Sequence, residues 1–187
     1  LSHAVNADID GRPISLEEAI GASIHLMGAG LDTVSSLFCF SMALLARQPQ
    51  LRRQLVEDPE LIPTAANELI RRFPVVVMVR QVRADMEYLG VSLRQGEMVA
   101  IPTPFYNLDE SVYERPLEVD WSRKVGKLLS FGNGPHRCPG AVLGRTELVI
   151  GLQEWLKRIP DFAIAPGATI PVVGGTVAKI LSLPLLW

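Results

Sequence analysis

The sequence predicts a mainly α-helical fold with small β-sheets at one side. Two stretches of helical apolar spacing, residues 15–47 and 139–159, and a β-branched run after Pro74 are the observations that predict it. The chain has 187 residues, of which 48% are hydrophobic and 20% charged. That balance is typical of a globular protein with a buried core.

Prolines and one capping box bound the predicted helices. Ser15 followed by Glu18 is a capping-box pattern, so a helix is predicted from there to Arg47, just before Pro49. At 1.5 Å per residue it would be about 50 Å long, the spine of a large domain. Further helices are predicted over residues 50–57, from Pro63 to Phe73, and from Pro139 to about Ile159.

The predicted strands lie between and after these helices. Residues 75–90 are predicted as strand, and residues 90–102 as a hairpin with its turn at Gln95 and Gly96. Residues 102–130 are predicted to be irregular except for a short helix at 103–108, and such a long loop is usually functional. The tail after Ile159 alternates short strands with Pro and Gly turns.

Charge and cysteine content exclude some classes of protein. The formal net charge is -2 and no long basic tract occurs, so a nucleic-acid partner is not expected. Two cysteines make no disulfide framework, which indicates reduced thiols in the cytoplasm. The N-terminus lacks a signal-peptide pattern and begins with Leu1, so we expect a fragment or a processed chain.

Residues 19–46 are long and apolar enough to span a bilayer. Asp32 near the centre would cost about 2.5–3.5 kcal/mol on insertion scales, and no Trp or Tyr belt flanks the segment. A buried helix without membrane contact is therefore favoured. A non-enzymatic helical membrane or interaction protein stays as an alternative.

The segment SFGNGPHRCPG, residues 130–140, places Cys138 at a predicted helix start. Free backbone N–H groups and the helix dipole at that point favour a thiolate over a thiol. Gly132 and Gly140 leave room for a flat partner, and Phe131 supplies an aromatic wall.

The residues alone leave other interpretations of Cys138 open. It is a buried structural cysteine in the commonest case. His136 and Cys138 are also two ligands of a zinc site or of a thiol module, although no clear tetrahedral set completes it. A Cys–His nucleophile is weaker, because His136 is only two residues away in the same tight loop.

The pattern FGNGPHRCPG resembles the cysteine loop of the cytochrome P450 family, F-G-x-G-x-H-x-C-x-G. AGLDT at residues 29–33 resembles the oxygen-binding groove of the family's central helix, and ELIR at 68–71 resembles its E-x-x-R motif. DWSR at 120–123 falls where the family has the arginine of its meander segment. The resemblance covers essentially the whole chain, and it is closest to the bacterial camphor hydroxylase and its relatives.

The resemblance implies roles at a haem b site. Cys138 would be the axial ligand of the haem iron, and in this family the thiolate's electron donation favours O–O cleavage. Asp32 and Thr33 would be the acid–alcohol pair that relays protons to dioxygen. The other implied haem-binding residues are Ala29, Arg80, Phe131, Gly132, His136 and Gly140, with Arg80 and His136 binding the propionates.

The resemblance also implies a structural network and a substrate side. Glu68, Arg71 and Arg123 would form a buried network behind the cysteine loop. The camphor enzyme has an acidic residue at the position of Met78, and bulkier apolar residues at two of the implied substrate-contact positions. Those contacts are His25, Gly28, Val76, Thr176 and Val177.

Several of these residues have a second interpretation from sequence alone. Gly28 and Gly30 fit a helix–helix crossing, and Asp32 fits a buried carboxylate paired with a lysine or arginine. Arg80 fits a solvent-facing strand position, and His25 a satisfied core histidine. Glu68 and Arg71, one turn apart, fit an ordinary exposed ion pair.

As a whole, the resemblance implies that residues 1–187 are the C-terminal part of a single cytochrome P450 domain whose N-terminal half is absent. The parent protein would be a haem-dependent monooxygenase that inserts one oxygen atom from O2 into a small apolar substrate, such as a terpenoid. Electrons would come from NAD(P)H through a reductase and a [2Fe–2S] ferredoxin. The isolated fragment is expected to be inactive, with no membrane or nucleic-acid partner.

Overall fold

The computed structural model describes residues 5–187. Its α-helices are α1 (Leu16–Arg47), α2 (Pro49–Glu57), α3 (Ile62–Arg72), α4 (Thr103–Asn107) and α5 (Ala141–Arg158), with 3₁₀ turns at Pro59–Leu61 and Gly134–His136. Its strands are β1 (Asp8–Ile9), β2 (Arg12–Pro13), β3 (Val77–Gln81), β4 (Met86–Tyr88), β5 (Val91–Leu93), β6 (Met98–Pro102), β7 (Ala163–Ile164), β8 (Val172–Val173), β9 (Lys179–Ile180) and β10 (Leu185–Leu186). The mainly helical fold with small sheets is confirmed.

The start of α1 is the predicted capping box. The Ser15 hydroxyl accepts from the Glu18 N–H at 3.2 Å, and the Glu18 carboxylate accepts from the Ser15 N–H at 2.8 Å. The Arg12 guanidinium also binds this carboxylate, and its hydrogen bond is the main reason that the pKa of Glu18 falls to about 2. The N–H groups of Ser15 and Glu18 therefore both have hydrogen-bond acceptors at the start of α1.

The core lies where the C-terminal part of α1 meets α3 and α5. Leu45, Leu69, Leu148 and Leu152 are fully buried there. At the crossing of α1 and α5, a Cβ on Gly151 would lie 2.9 Å from the Phe38 ring, so glycine is needed for this approach. The α1–α5 contact places the motif-bearing helix α1 beside the helix that follows the cysteine loop.

The sheets are small two-stranded antiparallel pairs, and they correct the predicted hairpin. Strand β5 pairs with β4 across a turn at Leu89 and Gly90, while β6 pairs with β3. Leu89 and Gly90 both have positive φ, 50° and 79°, a geometry that favours a two-residue hairpin turn. Gln95 and Gly96 do form a turn, but it joins strands of two different sheets.

The other predicted elements are confirmed with small changes at their ends. The helix predicted from Pro139 begins at Ala141, because Gly140 is its N-cap. Residues 108–133 hold no α-helix or strand, and the tail forms the pairs β7–β10 and β8–β9.

The N-terminal part of α1 leaves a large apolar surface uncovered by residues 5–187. Its exposed side chains include Leu16 at 78% and Leu31 at 69% exposure, with Ile20, Ile24 and Met27 between them. By length and composition this helix could cross a membrane, but its C-terminal part packs in the protein core. Helices at the centre of soluble proteins pass the same test, so the membrane alternative gains little from it.

Candidate functional site

The cysteine loop is a tight backbone fold between β6 and α5. The Cys138 N–H donates to the Phe131 carbonyl at 2.8 Å, which closes the loop on itself. Gly132 and Gly134 both have φ of +71°, a conformation that only glycine adopts without strain. A Cβ on Gly132 would also lie 3.1 Å from the Met78 sulfur, so this residue is restricted by space as well. The glycines are therefore required by the loop itself.

Cys138 is an exposed free thiol. It precedes the Gly140 N-cap by two residues, so it lies slightly before the helix edge where it was expected. The Ala141 N–H donates to the Cys138 carbonyl at 3.4 Å, and a Cβ on Gly140 would lie 3.8 Å from the sulfur. The thiol is consequently open to a ligand, which excludes a buried structural cysteine.

Phe131 is half-buried and belongs to the edge of the core. Its ring faces the guanidinium carbon of Arg145 at 5.9 Å, a contact that the sequence did not suggest. The ring thereby holds the beginning of the loop against α5.

The groove motif lies on the exposed part of α1. Thr33 Oγ1 donates to the Ala29 carbonyl at 2.8 Å, as expected for a hydroxyl that competes for a helix backbone bond. Cβ atoms on Gly28 and Gly30 would meet nothing within 4 Å, so residues 5–187 provide no helix crossing at these glycines. Within the described structure, packing does not account for them.

Asp32 is not buried, contrary to one interpretation of the sequence. Its side chain is 56% exposed, and its carboxylate pairs with the ammonium of Lys179 at 2.5 Å. The expected basic partner is therefore present, but at the surface of the described residues. Lys179 was not singled out from the sequence, because it lies 147 positions away.

Three of the five expected substrate contacts come together. Val76 and Val177 form an antiparallel bridge, and the Val77 N–H donates to the Thr176 carbonyl at 2.9 Å. His25 and Gly28 lie on the exposed part of α1, so His25 is not a core histidine within the described residues.

Arg80 and His136 are both exposed. Arg80 lies on β3 and donates to the carbonyl of Val79 at 2.8 Å. On the same strand Met78 contacts Gly132, so β3 lies beside the cysteine loop that carries His136. The Arg80 guanidinium and the His136 imidazole are both open to an anionic ligand, and their assignment to haem propionates stays a prediction.

Glu68, Arg71 and Arg123 form one buried network. The Glu68 carboxylate binds Arg71 through two bonds of 2.7 and 2.8 Å and Arg123 through one of 3.0 Å. Glu68 and Arg71 have no exposed side-chain surface, which excludes an ordinary surface pair. The remaining Arg71 donors reach the carbonyls of Asn107, Pro116 and Glu118.

Asn107 connects this network to the cysteine loop. It is fully buried, and its amide donates to the Ser130 hydroxyl at 2.6 Å and to the Arg71 carbonyl at 3.4 Å. Its side-chain carbonyl accepts from the Leu129 N–H at 3.1 Å. Sequence reasoning missed Asn107, because nothing local marks an asparagine in PFYNLD as buried.

The donor set fits a haem better than a zinc ion. Residues 5–187 contain no group of three His, Cys, Asp or Glu side chains that could hold a metal ion. What they offer is one accessible thiol, glycines that keep the loop narrow, the exposed Arg80 and His136 side chains, and an open apolar face on α1. A flat group with one axial position and two carboxylates matches this set.

Comparisons with known proteins identify the family of the chain. The statistical model of the family "Cytochrome P450" matches residues 59–159, more than half of the chain. The "Probable cytochrome P450 127A1" of Sinorhizobium fredii is 40% identical over all of this chain and 45% of its own length. Cytochrome P450(MEG) of Priestia megaterium is 33% identical over 99% of this chain and 47% of its own.

Solved structures of cytochromes P450 have the same fold. CYP101J2 superposes with a TM-score of 0.94 at 40% identity, covering 100% of this chain and 47% of that one. CYP101C1 superposes with a TM-score of 0.93 at 39% identity, covering 98% and 47%. The chain belongs to the cytochrome P450 family, close to the CYP101 group of the camphor hydroxylase. It spans less than half the length of these relatives.

Proposed function

We propose that the protein is a haem-dependent monooxygenase and that residues 1–187 are the C-terminal part of a single cytochrome P450 domain. The observation that carries the proposal is Cys138, an exposed free thiol that ends a glycine loop of the family's form. The loop lies within the stretch that matches the family. The coverage of less than half of each relative supports the proposed division of the domain.

Cys138 would be the axial ligand of haem b. Gly132 and Gly140 would let the group approach the loop closely, while Phe131 and Ala29 would contact it. Arg80 and His136 would bind the propionates, since both are exposed beside the loop. The buried network of Glu68 would hold the loop from behind through Asn107 and Ser130, without contact to the reacting atoms.

When bound, the haem would supply the activation of O2 with two electrons from an external donor. Asp32 and Thr33 would provide the protons, because a carboxylate and a hydroxyl on adjacent positions of one helix can pass protons from solvent inward. Within the described residues, Asp32 is the more exposed member of this pair.

The proposed substrate is a small apolar molecule of the terpenoid class, oxidised at a C–H bond. Val76 and Val177 are bridged neighbours and offer apolar contacts, while His25 and Gly28 distinguish the site from that of the camphor enzyme. Relatives support oxidation of natural products, since one is a "Mycinamicin IV hydroxylase/epoxidase" of Micromonospora griseorubida, 34% identical over 93% of this chain.

The proposed electron donor is NAD(P)H, acting through a reductase and a [2Fe–2S] ferredoxin in the cytoplasm. Similarity to the CYP101 structures supports an external redox partner, and the resemblance to the family implies the ferredoxin. A chain of residues 1–187 alone would be inactive, because much of the distal side of α1 lacks a cover.

The test is the spectrum of the protein expressed from its complete coding sequence, reduced and treated with CO. A thiolate-ligated haem gives a strongly red-shifted Soret band, and Cys138→Ala should abolish it while Cys39→Ala, the matched control, should leave it. A band at the position of histidine ligation would refute the assignment. Zinc without haem iron would favour the thiol module, and integral behaviour after a carbonate wash would favour the membrane protein.

A further inference from the structure

Lys179 and Asp32 form an ion pair between two elements that are distant in the sequence. The Lys179 ammonium donates to Oδ2 of Asp32 at 2.5 Å across 147 positions. Several other exposed ion pairs in the described part of the chain join residues at most six positions apart. The Lys179 contact thus links α1 to β9 at the carboxylate that the proposed function uses for proton delivery.

The backbone before Lys179 is anchored. Its strand β9 pairs with β8, where Lys179 faces Val173. One residue earlier, the Ala178 N–H donates to the Val75 carbonyl at 2.8 Å. The ammonium therefore extends from a hairpin whose connecting loop is fixed to the strand region of Val75 to Val77.

The neighbouring hydroxyls on α1 do not donate to the Asp32 carboxylate in the described structure. The Thr33 hydroxyl donates to the Ala29 carbonyl, and the Ser35 hydroxyl donates to the carbonyls of Leu31 and Asp32. Both hydroxyls are engaged with the helix backbone. Among the contacts described for residues 5–187, the partner of the Asp32 carboxylate is Lys179.

Stability is a weak reason for this pair. The two side chains are 38% and 56% exposed, and exposed ion pairs contribute little to the free energy of unfolding. What the contact does is fix where the carboxylate lies. A lysine on a short hairpin does this from outside the helix, so its position follows that of the hairpin.

We propose that Lys179 is a positioning residue for the Asp32 carboxylate and couples proton delivery to the hairpin that carries Thr176 and Val177. The proposal rests on the proposed function. A substrate that contacts Thr176 or Val177 would bear on the same hairpin that holds Asp32. The Asp32 carboxylate would then be positioned for proton delivery only when that hairpin holds its position.

The first test needs no haem. The haem-free protein, expressed from its complete coding sequence, is treated with acetic anhydride, and the acetylation of each lysine is followed by mass spectrometry. Because the ion pair covers the Lys179 amine, Asp32→Asn should make Lys179 react several-fold faster. Lys124 and Lys127, exposed in the described structure, should react at unchanged rates. An unchanged Lys179 rate would overturn the proposal.

The second test uses the haem-loaded enzyme and its product yield per NAD(P)H. Lys179→Met should lower this yield by about 10-fold, since misplacing a catalytic group by 1 Å costs up to about 100-fold. It should also increase the solvent deuterium isotope effect on product formation. Lys179→Arg should restore most of the yield, and Lys124→Met, the matched control, should behave as wild type.

The outcomes separate this proposal from the proposed function. Wild-type protein without a thiolate-haem band would refute the function, while the acetylation test would still report on the ion pair. A normal yield in Lys179→Met would overturn the positioning role. Equal losses in Lys179→Met and Lys179→Arg with an unchanged isotope effect would also overturn it, because they indicate a purely structural role.

Discussion

The hydroxyl of Thr33 donates to a helix carbonyl in the described structure, so it must rotate before it can donate to a ligand above α1. While it donates to this carbonyl, the hydroxyl can still accept a hydrogen bond from a ligand, because it carries two acceptor lone pairs. The neighbouring Asp32 is exposed in the described structure. In the proposed function the two side chains would be the inner and outer ends of a short proton path.

If Thr33 delivers protons, its removal should separate electron use from product formation. We expect Thr33→Ala to consume NAD(P)H and release peroxide. The product formed per NAD(P)H should fall by about 10-fold or more, because positioned proton transfer contributes a large part of such a reaction rate. Thr33→Ser, which keeps the hydroxyl, should retain most of the product. Peroxide and product yields measure this, and unchanged coupling in Thr33→Ala would remove the residue from proton delivery.

Tyr113 is the phenol most affected by the fold. It is 7% exposed, its hydroxyl donates to the Lys127 carbonyl at 2.9 Å, and burial raises its pKa above the ordinary value. A raised pKa means that the neutral phenol stabilises the fold below about pH 10 and that this contribution is lost as pH rises through the folded-state value.

We therefore expect Tyr113 to ionise at a higher pH than a free phenol in an absorbance titration of the phenolates. Tyr113→Phe should remove the part of the titration curve at the highest pH. Loss of an early part in Tyr113→Phe would contradict the burial of this hydroxyl.

At the scale of elements, the crossing of α1 and α5 depends on one glycine. A Cβ at Gly151 would lie 2.9 Å from the Phe38 ring, whereas a Cβ at Gly21 of α1 would meet nothing within 4 Å. Both glycines are in helices, so the helix propensity gained by alanine is the same at the two positions.

This pair gives a matched measurement of packing. Gly151→Ala should lower the free energy of unfolding by about 1–3 kcal/mol through overpacking, while Gly21→Ala should raise it by up to about 1 kcal/mol. Urea unfolding followed by helical circular dichroism measures both. A stabilising Gly151→Ala would show that the helices can move apart without cost.

Sequence reasoning succeeded where the determining contacts are local. The capping box joins Ser15 and Glu18 three residues apart, so the start of α1 could be predicted from four letters. The hairpin at 90–102 was wrong because strand pairing depends on distant partners, and β6 found β3 instead of β5. Helix α5 begins two residues later than predicted, because Gly140 is its N-cap.

The same division holds at the candidate site. The motifs around Cys138, Asp32 and Glu68 were visible in the sequence because each is contiguous. Lys179 and Asn107 were missed because their importance comes from contacts 147 and 36 positions away. Only a fold that brings those positions together reveals them.

At the scale of the whole molecule, the exposed part of α1 is the main unsatisfied surface. Several large apolar side chains there face solvent, and a groove of about 380 Å³ between α1 and α5 continues that surface. Apolar areas of this kind in isolation favour association or dye binding.

We expect the isolated polypeptide of residues 1–187 to bind the dye ANS strongly, to self-associate and to retain haem poorly. The protein from the complete coding sequence should bind less dye per molecule and retain haem through gel filtration. Fluorescence and the ratio of Soret to protein absorbance measure the difference. Equal dye binding by the two proteins would show that the apolar surface of α1 stays exposed in the complete protein.

The side-chain hydrogen bonds of Asn107 have a consequence for a chain that is cut by a protease. Its side chain holds Leu129 and Ser130, so residues 108–128 form a ring closed by hydrogen bonds rather than by a covalent link. Tyr113 and Trp121 anchor this ring further, through the carbonyls of Lys127 and Leu51. A protease that cut after the exposed Lys124 would therefore leave two pieces that stay together, with the cysteine loop still in place.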